Sequence, residues 1–206
     1  MMDLTTVEAR VLGALVEKSR TTPDYYPMTL NALTAACNQS SNRDPVTAFT
    51  EVEIDDAMRS LRDRNAARSV RTSRSRIMKH QHDLENLLVI ERAASSLLAV
   101  LLLRGPQTVG ELRMRTERYH DFESLDAVEV SLRVMAADDP ALVRRLDRQP
   151  GQKETRWVEL LTAKAPEAVP EIRPTSATAF AQLPDLATRV EALEARVTEL
   201  EQQLGD

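Results

Sequence analysis

The 206-residue chain carries 27 Lys and Arg against 32 Asp and Glu, a net charge of −5, with one Cys and 3% aromatic residues. A lone Cys excludes a disulfide framework and any zinc or redox centre built on paired cysteines, and it suits a reducing, cytoplasmic setting. The few aromatics argue against stacking platforms for single-stranded nucleic acid. The longest apolar run, Leu97–Leu103, is far too short for a bilayer span and no secretory pattern precedes it, so no membrane association is expected.

The first element expected is a helix from Thr5 to Ser19 with Val7, Val11, Leu12, Leu15 and Val16 inward. Thr29-Leu-Asn-Ala-Leu33 then opens a short second helix, with the threonine hydroxyl placed to accept a free N–H of the first turn. A third helix starts at Thr50, whose spacing to Glu53 is that of a capping box. Ile54, Ala57, Met58 and Leu61 define its buried face. Two β-prone runs, 68–72 and 76–80, flank Ser73-Arg74-Ser75 and predict a hairpin.

The same order then recurs. A helix from about Ile90 to Arg104 is apolar nearly all round and is expected between neighbours, and Gly105-Pro106 stops it. Thr108-Val-Gly-Glu-Leu112 repeats the short-helix start, and Val128, Ser131, Leu132 and Met135 stand at the same offsets from Ser124 as the first set does from Thr50. Runs 141–146 and 155–161 flank a Pro150-Gly151 turn signal. Three helices and a hairpin, performed twice, predict an α+β, mainly α chain of two tandem winged-helix domains, 1–83 and 84–161.

Residues 162–182, with Pro166, Pro170 and Pro174, read as a linker. Beyond it Leu183, Leu186, Val190, Leu193, Val197, Leu200 and Leu204 alternate spacings of three and four, a heptad seam over 183–206. Arg189 and Arg196 at g would meet Glu194 and Glu201 at e of a parallel partner, so a homodimer through this coil is expected; a solitary amphipathic helix packed on the body is the other reading.

Local charge is the main functional clue. Residues 59–80 hold Arg59, Arg62, Arg64, Arg68, Arg71, Arg74, Arg76 and Lys79 against one acid, Asp63. Arginines there suit phosphate contacts, and Arg74 at the hairpin tip suits a minor groove; the plainer reading is a solvated hairpin charged against edge pairing. The third helix argues the other way, since Glu51, Glu53, Asp55 and Asp56 sit where base edges would be read, and Glu123, Asp126 and Glu129 repeat the pattern. His80 and His82 lie two apart with no further ligand cluster, Cys37 reads as a small core residue, and no phosphate loop or nucleophile pattern exists, so neither catalysis nor a metal or cofactor is expected.

Further runs stand out: Leu4-Thr-Thr-Val-Glu-Ala-Arg-Val-Leu-Gly-Ala-Leu-Val-Glu-Lys18, Thr21-Thr-Pro23, Tyr26-Pro27, Ala36-Cys-Asn-Gln39, Ser41-Asn-Arg-Asp-Pro-Val46, Leu101-Leu-Leu-Arg-Gly-Pro-Gln-Thr108, Gly110-Glu-Leu-Arg113, His120-Asp-Phe122 and Pro150-Gly-Gln-Lys-Glu154. Together they resemble the YceH-like family of uncharacterised bacterial proteins. The resemblance spans about residues 3–161 and implies a tandem winged-helix fold with no established activity. Ser40 stands where the family's run usually has Lys, which weakens that loop as a phosphate contact. The loop from Asn38 to Phe49 reads either as capped by its own side chains or as a binding surface with Arg43 as its cation.

The leading expectation is therefore a dimeric regulator that meets double-stranded DNA through Arg43, Arg59, Arg62, Arg68, Arg71, Arg74, Arg76 and Lys79. The competing one is a non-catalytic scaffold whose winged helices bind a protein partner.

Overall fold

Helix α1 (Thr6–Thr21) begins on Thr5, whose hydroxyl accepts from the Glu8 N–H while the Glu8 carboxylate takes the Thr5 N–H. The computed structural model describes residues 2–71, 77–148 and 151–163. Within them a single 3₁₀ turn (Pro23–Tyr25) leads to α2 (Leu30–Cys37), α3 (Glu51–Asp63) and an antiparallel hairpin, β1 (Ala67–Arg71) with β2 (Met78–His82). A short α4 (Leu84–Leu88) follows, then α5 (Arg92–Arg104), α6 (Val109–Thr116), α7 (Leu125–Ala137) and a second antiparallel pair, β3 (Val143–Arg145) with β4 (Trp157–Glu159). The class is α+β and mainly helical.

The repeat reaches backbone detail. Met28, the residue before the α2 cap, exchanges hydrogen bonds of 3.0 and 2.7 Å with His80 of the return strand. Gln107, the residue before the α6 cap, exchanges the same pair with Trp157 at 3.0 and 2.7 Å. Thr29, Thr50, Thr108 and Ser124 all cap as their spacing predicts, each hydroxyl accepting the N–H three residues on. Ile54, Ala57, Met58 and Leu61 are buried, as are Val128, Leu132 and Met135.

The two repeats share one core. Every residue of α5 from Ala94 to Leu103 is buried, because α1 covers one side and α6, α7 and β4 the other. A Cβ on Gly13 would stand 2.9 Å from Leu103 Cγ and 3.2 Å from Leu102 Cβ, so α1 and α5 touch through the glycine. At the other end the Leu4 N–H donates to the Leu161 carbonyl at 2.8 Å and the Ala163 N–H to the Leu4 carbonyl at 3.1 Å. Each leucine sealed there removes about 2 kcal/mol worth of apolar surface from water. All described residues fall in one compact unit. Thr162 and Ala163, expected in the linker, belong to this unit.

Three local expectations are corrected. The first strand pair lies at 67–71 and 78–82 rather than 68–72 and 76–80, because the Met28–His80 bridge fixes the return strand. The first helix runs two residues past Ser19. Residues 84–88 form a helix that the composition did not announce, closed by Val89 in a left-handed conformation (φ 54°). The remainder of the proline-rich stretch and the heptad residues Leu183, Leu186, Val190, Leu193, Val197, Leu200 and Leu204 lie outside the described residues.

Candidate functional site

The first hairpin alternates strictly. Ala67, Ser69 and Arg71 share a face with their partners His82, His80 and Met78, while Arg68 and Val70 share the other with Gln81 and Lys79. Arg68 and Lys79 thus lie on the opposite side of the ribbon from Arg71. The predicted cationic surface is not one continuous strip among the described residues.

Its members are also largely committed. Arg43 is buried, its guanidinium 2.5 Å from Glu17 Oε2 and donating to the Ala36 carbonyl at 2.8 Å and the Asn42 carbonyl at 2.9 Å. Its expected role as a phosphate contact is therefore corrected: a side chain with no exposed surface cannot reach a duplex. Arg59 is exposed but pairs with Asp55 and, at 2.9 Å, with Asp56. Arg64 donates to the backbone carbonyls of Met2 and Asp3 and lies 3.9 Å from Glu8, holding the residues that precede α1. Arg68 lies 3.8 Å from Asp83. Arg71 donates to Met78 Sδ at 2.9 Å, and it makes no ion pair among the described residues; neither do Arg62 and Lys79. Arg74 and Arg76 lie outside the described residues.

Sequence reasoning missed the network around Arg43. Glu17 on α1 accepts from Arg43 and, at 2.8 Å, from the Tyr119 hydroxyl that follows α6, 102 residues away. Burial opposes ionisation of Glu17, but the Arg43 pair and the tyrosine outweigh it and hold the carboxyl below its ordinary range. Burial beside the same carboxylate raises the Tyr119 phenol. Arg10 extends the network, donating to the Cys37 carbonyl at 3.0 Å, the Pro45 carbonyl at 2.6 Å and Thr47 Oγ1 at 3.0 Å. Asn38 closes it, giving its amide to the Phe49 carbonyl at 2.7 Å and taking the Phe49 N–H at 2.8 Å. The loop is thus capped by its own side chains, the plainer of its two sequence readings. The available signal was the charge of Glu8, Arg10 and Glu17 among the inward positions of α1.

His80 and His82 share the inner face of the hairpin. Arg62 donates to Ser69 Oγ at 3.3 Å, which lies 3.0 Å from His80 Nδ1, beside a groove of about 540 Å³ also lined by Glu51 and Asp55. His82 places Nε2 3.2 Å from Ser19 Oγ and its N–H on the Tyr26 hydroxyl at 2.7 Å, and its buried Nδ1 has no partner among the described residues. Burial pushes the His82 imidazole down to about 4 and lowers His80 as well. Cys37 is a core residue, its thiol pushed up by burial to about 12. Among the described residues no group of three or more His, Cys, Asp or Glu is set to hold a metal, and no helix is long and apolar enough to cross a membrane.

The outward side of the two third helices is exposed. In α3 it presents Val52, 70% exposed, with Glu53, Asp56, Arg59 and Asp63. In α7 it presents Val130 and Val134, 60% and 61% exposed, between Ala127 and Ala137, with Asp126 and Arg133 along one flank.

The family model described as "Protein of unknown function, DUF480" matches residues 4–152. A UPF0502 protein of Dechloromonas aromatica is 44% identical over 198 residues, covering 96% of this chain and 92% of its own length. One from Geobacter metallireducens is 53% identical over 165 residues, 80% of this chain and 74% of its own. One from Paraburkholderia phymatum is 42% identical over 215 residues, 98% and 89%. The first and third of these alignments run past residue 161, further along the chain than the motif resemblance reached. The chain belongs to the DUF480 (UPF0502) family of uncharacterised bacterial proteins.

Proposed function

We propose that this chain is a non-catalytic protein-interaction adaptor: two winged-helix modules fused through a shared core, with the second module facing its partner. The observation that carries the reading is the outward side of α7, where Val130 and Val134 stand open to solvent at positions a groove-reading helix would fill with donors. Val130 and Val134 lie one turn apart on the same outward face of α7, so one partner surface would cover both at once. The internal pairing of Arg43, Arg59, Arg64 and Arg68 supports it further, since phosphate binding draws on cations free to replace counterions. The C-terminal heptads would add a parallel homodimer, in keeping with a cytoplasmic assembly factor.

A second reading rests on Arg71 and Lys79. They meet no acid among the described residues, and with Arg74 and Arg76 they would give the hairpin end a phosphate contact and make the chain a DNA-associated regulator. Affinity capture of the tagged full chain from its own host separates the two. The adaptor reading expects a protein set that is lost from a Val130→Glu, Val134→Glu variant of normal thermal stability. Recovery of mainly nuclease-sensitive material, unchanged in that variant, would overturn it.

A further inference from the structure

The two repeats supply an internal comparison at the third helix. Aligned on their caps, Thr50 and Ser124, the positions Asp56, Ser60 and Asp63 of α3 correspond to Val130, Val134 and Ala137 of α7. The fold therefore does not require apolar residues there. One copy carries water-seeking side chains, and the other carries exposed apolar residues spaced four and three, the a/d spacing of paired helices. The inward side of α7 is already satisfied by the buried Val128, Leu132 and Met135.

The flanks of the seam identify what covers it. With Val134 at a and Val130 and Ala137 at d, Arg133 falls at g and Asp138 at the following e. In a parallel pair of helices each g residue meets the partner's next e residue, so the two faces are complementary to themselves: Arg133 to Asp138, twice, about a two-fold axis. Arg133 is 68% exposed and, among the described residues, pairs with Glu129 at 2.7 Å, which leaves further guanidinium donors to reach outward. Asp138 is the exposed residue directly after the helix, with extended backbone. In an antiparallel pair centred on the seam, Arg133 would instead face its own symmetry copy.

We propose that the outward face of α7 pairs with the same face of a second copy of this chain, side by side and in parallel register. This deepens the adaptor reading and rests on it: the first protein this face takes is a second copy of the chain, whose untagged form then belongs to the set captured through Val130 and Val134. Three turns bury less than the roughly 1,200 Å² typical of stable complexes, so the contact orients two copies rather than holding them by itself.

Disulfide trapping in the full chain tests it, because Cys37 is buried and gives no background. Residues facing each other at a and d come within the roughly 6 Å Cα separation that a disulfide needs. Val130→Cys and Val134→Cys, oxidised separately with glutathione, should each link to themselves at least tenfold faster than Asp56→Cys, which reports chance encounters from the matching turn of α3. Arg133→Asp should slow the Val134→Cys linkage, and Arg133→Asp with Asp138→Arg should restore it. Equal rates for the α7 and α3 variants would overturn the pairing, and they would leave the adaptor reading to its own capture experiment. Linkage only in a mixture of Val130→Cys with Val134→Cys would also overturn it, since that marks an antiparallel contact.

Discussion

Arg43→Ala removes a guanidinium that serves one carboxylate and two carbonyls in the core. The Glu17 carboxylate would keep the Tyr119 hydroxyl at 2.8 Å and Lys18 at 3.6 Å, but would lose the buried guanidinium paired with it. Breaking a buried pair from one side costs about 3–5 kcal/mol. The surviving Tyr119 and Lys18 contacts place the expected loss near the lower end, about 3 kcal/mol. Arg43→Met with Glu17→Gln removes both charges and fills the space, so it should cost less than Arg43→Ala alone. Urea denaturation of the full chain, read as midpoint shifts at constant slope, measures each. Acid should work on the same pair. Because the folded Glu17 carboxyl lies below its ordinary 4.5, the pair's stabilisation is complete above that value and is lost as pH falls through the lowered one. An Arg43→Ala variant less than about 1 kcal/mol weaker than wild type would refute the burial of this arginine. Weakened duplex binding at unchanged stability would restore it as a surface contact.

Two further outcomes follow from packing and titration. Gly13→Ala improves helix propensity yet should destabilise by about 1–3 kcal/mol, because the new methyl meets Leu103 at 2.9 Å across the α1–α5 contact; a thermal midpoint at or above wild type would place the helices further apart. His82 is depressed from 6.5 to about 4, so the unfolded chain binds the proton first, and stability should fall by roughly 3 kcal/mol between pH 6.5 and pH 4. His82→Gln should flatten most of that slope, leaving the smaller part due to His80, and an unchanged slope would contradict the assignment.

The fold was legible wherever neighbouring residues decide the structure. Thr50 with Glu53 makes its box within one turn, and the offsets of Ile54, Ala57, Met58 and Leu61 depend on helix geometry alone. The recurrence of those offsets from Ser124 carried the repeat. The site was less legible because charge does not announce its partner. Arg43 and Glu17 are 26 residues apart, and Tyr119 is 102 from Glu17, so no local pattern distinguishes this buried arginine from the exposed Arg59. Arg68 and Arg71 looked like neighbours on one surface, but the ladder register put them on opposite faces of the ribbon. Val130 and Val134 were present in the sequence, yet their exposure became meaningful only once Val128, Leu132 and Met135 were seen to fill the inward side.

The claim on which the account turns is that Arg43, Arg59, Arg64 and Arg68 of the first repeat are engaged by its own acids. Fluorescence anisotropy of a labelled duplex, titrated with the full chain from about 50 mM salt upward, tests this most directly. The account predicts binding no tighter than roughly 10 μM at the lowest salt, with no change on replacing Arg59 and Arg68 by Gln. Submicromolar binding that falls steeply with salt, and that weakens when those two arginines are replaced, would contradict it.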